Sequence, residues 1–192
     1  SAYHEAGHAL VAAALPGIDP IHKISIISRG RAAGFTLKLP TEDRHLYSKT
    51  YFLSELAVSL GGYAAEEIVF DEITTGPHDD LKKATDLARA LVTKYGMSEK
   101  VGPLAFGGHE EYVFLGKDFA AQKDYSESLA TIIDQEVSRL IKTAHKKAES
   151  LLTKYRHALD ALAQKLIKEE TVERDEFEKF TTAYGIRPAP SA

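Results

Sequence analysis

The sequence has no cysteine, no tryptophan and a single methionine. Without cysteine there can be no disulfide, no thiolate metal site, no cysteine nucleophile and no thiol redox switch. Long hydrophobic runs are missing too. The longest weakly polar stretch, residues 9–18, is interrupted by Pro16 and Gly17 and falls short of the ~20 apolar residues a membrane-spanning helix needs. A basic excess is also absent: 24 Lys and Arg stand against 28 Asp and Glu, a net charge of −4, which argues against a general nucleic-acid binder. Nothing at the start reads as a secretory leader. The chain opens inside a helical pattern at Ser1-Ala2-Tyr3-His4-Glu5, and the expectation is a soluble piece of a longer protein.

What is present is the composition of a folded protein. Of 192 residues, 44% are hydrophobic and 27% charged, a balance that excludes wholesale disorder and supports a sizeable core. Residues 2–15, rich in Ala, Leu, His and Glu, read as a helix stopped by Pro16-Gly17. Dense β-branched residues predict a strand over 21–28, a turn at Gly30 and a second strand over 33–39, paired as a hairpin. Apolar residues at three- and four-residue steps predict helices over 42–61, 63–70 and 79–95. Gly61-Gly62 interrupts the first of these, and Asp79 or Asp80 caps the last. Residues 96–125 show no sustained period, and a glycine-rich stretch over 107–116 reads as a surface loop. Helical patterns resume over 129–155, 159–167 and 174–184. The fold class is mainly α: a helical domain with a small β-hairpin or sheet beside the first helix and a C-terminal helical bundle. One domain is expected over 1–186, with the small sheet in its 1–100 half, a helical part over 125–186 and a frayed tail over 187–192.

The segment that carries chemistry is His4-Glu5-Ala6-Gly7-His8. Histidines four apart share one helix face, so both imidazoles can reach a single ion. Glu5 lies roughly 100° around from His4, where it can address a water on that ion. A catalytic Zn²⁺ needs three protein ligands and an open position, and a nearby carboxylate can take the proton of the activated water. The third ligand is not set by this spacing. The extended metalloprotease motif would require a glycine at position 11 and a third histidine at position 14, where the chain has Val11 and Ala14. Glu66, Glu67, His78, Asp79 and Asp80 all remain candidates, against the bland readings of a solvated helix face or a helix cap. The other histidines have no ligand spacing around them.

Several ordered blocks extend the pattern. They are His4-Glu5-Ala6-Gly7-His8-Ala9-Leu10, Ser28-Arg29-Gly30-Arg31-Ala32-Ala33-Gly34-Phe35 and Gly61-Gly62-Tyr63-Ala64-Ala65-Glu66-Glu67-Ile68. Thr74-Thr75-Gly76-Pro77-His78-Asp79-Asp80-Leu81, Gly96-Met97-Ser98-Glu99-Lys100-Val101-Gly102-Pro103-Leu104 and Phe114-Leu115-Gly116 follow. Together they resemble the peptidase domain (M41 type) of the FtsH family of membrane-anchored, ATP-dependent zinc proteases, over essentially the whole chain. The resemblance implies one Zn²⁺ per chain held by His4, His8 and Asp80, with Glu5 as general base and Glu66-Glu67 structural or behind the ligands. It also implies that Gly34, Phe35 and Thr36 line the cleft, where a strand edge could receive an extended peptide. The chain departs from the family pattern at Pro77-His78-Asp79 and at Tyr63.

Further expectations follow from the same likeness. Substrates would be unfolded polypeptides, and the full-length protein would be a homo-hexamer at a membrane, the bacterial inner membrane or an organelle equivalent. ATP would bind an ATPase domain outside this chain, since no Gly-x-x-x-x-Gly-Lys-Ser/Thr loop occurs in it. No nucleic-acid partner is expected. The competing reading is a helical ring-assembly module whose metal is purely structural.

Overall fold

A computed structural model describes residues 1–27, 34–40, 46–107 and 124–188. The turn at Gly30, most of the 107–116 loop and the last four residues of the expected tail lie outside the described residues. So does the start of the expected 42–61 helix.

Helix α1, Ala2–Ala14, is the centre of the domain. It is buried along almost its whole length, because its outward positions are Ala and Gly rather than polar residues. It packs chiefly on α3 (Gly61–Phe70) and α6 (Arg156–Glu169). The α1–α3 crossing is backbone against backbone. A Cβ on Gly7 would run into the Gly61 carbonyl, and one on Gly61 would stand 2.8 Å from the Gly7 oxygen. Only glycine at both positions permits so close an approach.

The Gly61-Gly62 pair therefore does not work as a simple interruption. Helix α2, Lys49–Ser59, ends at Leu60, and the two glycines are the first residues of α3. Nor does α2 begin where periodicity predicts. Ser48 accepts from the Tyr51 amide at 3.1 Å, and this side-chain cap starts the helix at Lys49. At the next helix the expected aspartate cap is likewise replaced. Helix α4, His78–Thr93, begins on Pro77, whose carbonyl accepts from Leu81 N at 2.9 Å, so Asp79 and Asp80 lie inside the first turn.

Strands β1 (Ile21–Ser25) and β2 (Phe35–Lys38) pair antiparallel, with Ile24 opposite Thr36 and Ser25 opposite Phe35. The expected hairpin is thus present but gains a third member. Strand β3, Thr171–Glu173, adds to the other side of β1, giving the order β2-β1-β3. Three residues are too few to show a period, so β3 is invisible to pattern reading. Glu170 makes it possible by turning left-handed (φ 62°) after α6, while its carbonyl accepts from Ile26 N at 3.0 Å.

The long C-terminal helices form as the apolar stripe predicts. Helix α5, Glu127–Lys154, and α6 are separated only by Tyr155, and α7 spans Arg174–Ala183. Leu152, Leu159, Leu162 and Leu166 are wholly buried against the rest of the core. Buried Glu136 on α5 accepts from Ser98 Oγ at 2.7 Å and from Arg139, anchoring the segment after α4. The Arg139 hydrogen bonds hold its carboxyl at about 2 despite burial. No helix among the described residues is long and apolar enough to cross a membrane.

Candidate metal centre

Four helices bring the candidate ligands and their supports together. His4 and His8 stand one turn apart on α1, their rings edge to face with centroids 4.7 Å apart. Asp80 arrives from the first turn of α4, where a carboxylate is favoured by the positive end of the helix. The three donor atoms converge: His4 Nε2 lies 3.1 Å from Asp80 Oδ2 and 3.1 Å from His8 Nε2, and His8 Nε2 lies 3.3 Å from Asp80 Oδ2. Among the described residues this is the one such group of three that could hold a metal ion.

The opposite nitrogens decide what that convergence means. His8 Nδ1 lies 2.7 Å from the Val58 carbonyl, which can only accept, so Nδ1 carries the proton. His4 Nδ1 lies 2.9 Å from Glu66 Oε1, another acceptor, and donates to it. In the neutral rings both Nε2 atoms then present lone pairs, aimed at each other and at a carboxylate oxygen. Three acceptors face one another with no donor among them, an arrangement that requires a proton or a cation. Tetrahedral Zn²⁺ with ligand bonds of about 2.0–2.1 Å sets its donors about 3.3–3.4 Å apart, close to the separations found. The donor set of two imidazoles and a carboxylate also suits Zn²⁺. The residues fit the metal.

Electrostatics point the same way. Burial would lower the His4 pKa, yet the hydrogen bond to Asp80 and the charges of Glu5, Asp80 and Glu66 raise it above 6.5. Burial alone would raise Asp80, but the hydrogen bonds from His4 and His8 hold its carboxyl well below the usual range. The pocket is built for positive charge.

Glu5 is buried, 6% exposed, and its carboxylate reaches β2. Its Oε2 accepts from Thr36 Oγ1 at 2.9 Å. Gly34 leaves room for it, since a Cβ there would stand 2.9 Å from Glu5 Cγ and Oε1. Of the three expected cleft residues, Thr36 bonds the Glu5 carboxylate, Gly34 leaves the space beside it open, and Phe35 pairs with Ser25 in the sheet. Among the described residues, strand β2 has β1 as its neighbour and lies at the edge of the sheet.

The remaining candidates separate cleanly. Glu66 lies behind His4, on the Nδ1 side, and Glu67 bonds His145 Nε2 at 2.8 Å, joining α3 to α5. His78 and Asp79 are exposed and outside the triad. Sequence reading missed the Val58 carbonyl, which no side-chain pattern could reveal, and Gly62. A Cβ at 62 would meet the His4 ring, and a glycine pair opening a helix was the available signal.

A mainly helical domain with two imidazoles one turn apart, an adjacent carboxylate and a third acidic donor from another helix is of the zinc-metallopeptidase class. Peptidase family M41 matches residues 1–180, and the chain belongs to that family. It is similar to the ATP-dependent zinc metalloprotease FtsH of Rubrobacter xylanophilus, 48% identical over 191 residues, covering 100% of this chain and 29% of that protein. ATP-dependent zinc metalloprotease FtsH 1 of Sphaerobacter thermophilus is 51% identical over 188 residues, 98% of this chain and 29% of the relative. The FtsH of Pseudothermotoga lettingae is 48% identical over 179 residues, 93% and 29%. The chain thus spans about 29% of the length of these curated relatives.

Proposed function

We propose that this chain is the proteolytic domain of an ATP-dependent zinc metalloprotease, hydrolysing peptide bonds of unfolded polypeptides. One observation carries the reading: three lone-pair atoms of His4, His8 and Asp80 converge within 3.3 Å beside a buried carboxylate. His4, His8 and Asp80 would hold Zn²⁺, which would supply Lewis acidity toward a scissile carbonyl and ease loss of a proton from the attacking water. Glu5 accepts that proton and returns it to the leaving amine. Thr36 holds the Glu5 carboxylate in place. The exposed side of β2 receives the substrate backbone as an added strand, a mode with little demand on side-chain sequence. ATP-driven unfolding and membrane attachment belong to parts of the full-length protein outside this chain, and that protein is a homo-hexamer in which part of this domain's surface is an interface; the relatives' ATP-dependent naming supports the first of these.

The test is cleavage of casein by the zinc-loaded wild type and by Glu5→Gln, with metal content measured on both. Loss of at least about 100-fold with zinc retained is the expected result, in keeping with removal of a general base. Equal cleavage by both, with zinc bound in both, would remove Glu5 from the role of base, and no cleavage by either would leave the structural-metal reading.

A further inference from the structure

We propose that Thr74 is a positioning residue for the metal centre, its hydroxyl tying the helix pair that holds His4 to the loop that delivers Asp80. The inference rests on the metal reading above and deepens it.

Thr74 stands between α3 and α4 and reaches both. Its Oγ1 accepts from the Gly76 amide at 3.1 Å and donates to Glu66 Oε2 at 2.9 Å. The other oxygen of the same carboxylate, Glu66 Oε1, accepts from His4 Nδ1 at 2.9 Å. On the far side, Gly76 precedes buried Pro77, on whose carbonyl α4 begins and whose first turn carries Asp80. A single hydroxyl thus connects the first metal-facing imidazole to the start of the helix bearing the carboxylate, 76 residues away in sequence.

The bond to Gly76 is local, of the kind any Ser or Thr makes in a turn. The bond to Glu66 is not local. A threonine hydroxyl has one proton, and Thr74 gives it to a carboxylate eight residues back on another element. That contact leaves Glu66 with both oxygens engaged, so the carboxylate cannot rotate away from His4. Glu66 Oε1, the acceptor facing Nδ1 of His4, keeps that nitrogen protonated and leaves Nε2 as the lone-pair face. Glu66, the partner behind the metal-facing histidine, is of the kind whose removal typically changes metal affinity about 10–100-fold, and Thr74 acts one hydrogen bond further back. Thr74 touches neither Nε2 atom nor Asp80 Oδ2, so it is no ligand itself.

The experiment measures Zn²⁺ affinity of the 192-residue chain by competition with a chromophoric chelator. Wild type, Thr74→Val, Thr74→Ser, Glu66→Ala and the Glu66→Ala/Thr74→Val double variant are compared, each with its metal-free melting temperature. Val is isosteric with Thr and residue 74 is exposed, so folding is expected to survive. Glu66→Ala should bind Zn²⁺ about 10–100-fold more weakly, Thr74→Val about 3–10-fold more weakly, the worth of one hydrogen bond, and Thr74→Ser should recover wild-type affinity. In the Glu66→Ala background, Thr74→Val should cost nothing further, because the path to His4 is already cut. Wild-type affinity in Thr74→Val, failure of Ser to rescue, or an equal loss in the Glu66→Ala background would each overturn the inference, the last by showing a loop-only role. A wild type that binds no Zn²⁺ would overturn the metal reading itself, and this inference with it.

Discussion

Gly62 is the floor beneath His4: a Cβ at position 62 would stand 2.5 Å from Cε1 and 2.6 Å from both ring nitrogens. The obstacle would be a side chain, so the imidazole can yield where backbone could not. Gly62→Ala should therefore leave the metal-free fold near wild-type stability and displace the His4 ring. Chelator competition should report Zn²⁺ affinity at least about tenfold weaker, and an unchanged affinity would show that the ring has other room.

Gly7 gives the opposite outcome. A Cβ there meets the Gly61 carbonyl and the Ala65 Cβ, so α1 and α3 must move apart. Overpacking of this kind costs about 1–3 kcal/mol. Gly7→Ala should lower the denaturant midpoint of the metal-free protein by a corresponding amount, visible by circular dichroism.

Three acidic or imidazole side chains follow one another at the start of α4, and Asp80 is the one bonded to both imidazoles, at 3.1 and 3.3 Å. Asp80→Ala should reduce bound zinc, measured by elemental analysis after gel filtration, from about one equivalent toward zero. His78→Ala and Asp79→Ala, whose side chains lie outside the triad, should keep it. Zinc lost from either of those instead would reassign the third ligand.

The pH dependence should reverse sign between metal-free and zinc-loaded protein. His4 has its folded pKa raised above 6.5, so its stabilisation is complete below 6.5 and lost as pH rises through the folded value. Asp80 has its folded pKa depressed below 3.8, so its stabilisation is present above 3.8 and lost as pH falls through the folded value. With chelator present, this pair favours the native state most between 3.8 and 6.5. Zinc competes with the His4 proton, so its stabilisation grows as pH rises through that proton's pKa. Melting temperatures at about pH 5.5 and about pH 8 should therefore show the larger zinc-induced increase at the higher pH. The same increase at both would contradict a protonated His4 in the metal-free site.

Gly34 separates metal binding from proton transfer. A Cβ there would press on Glu5 Cγ and Oε1 at 2.9 Å and on the Ser25 carbonyl at 2.8 Å. Gly34→Ala should lower kcat on casein by about 10–100-fold by misplacing the base while zinc content stays that of wild type. Full activity would remove Gly34 from the account of the site.

How far the chain could be read without coordinates differs from element to element. Helices α4, α5 and α6 were legible because one apolar stripe at helical spacing must be buried, and α1 through its helix-favouring composition and the Pro16-Gly17 stop. Boundaries at α2 and α4 were not, since Ser48 and the Pro77 carbonyl set them through single hydrogen bonds. Strand β3 left no trace in three residues, and exists because β1 offers it an edge. In the site, His4, Glu5 and His8 could be named from local spacing. Glu66 and Asp80 could not be ranked from spacing alone, both being carboxylates on helices.

The amino-acid order by itself determined that two imidazoles share a helix face with a carboxylate alongside, because helical pitch is a local property of the backbone. Which distant acid joins them, and which supports from behind, was decided only when α3 and α4 packed around α1. That packing sets Glu66 against Nδ1 and Asp80 against Nε2 of one ring. Those two nitrogens face opposite ways, and only a fold can say which acid arrives on which side.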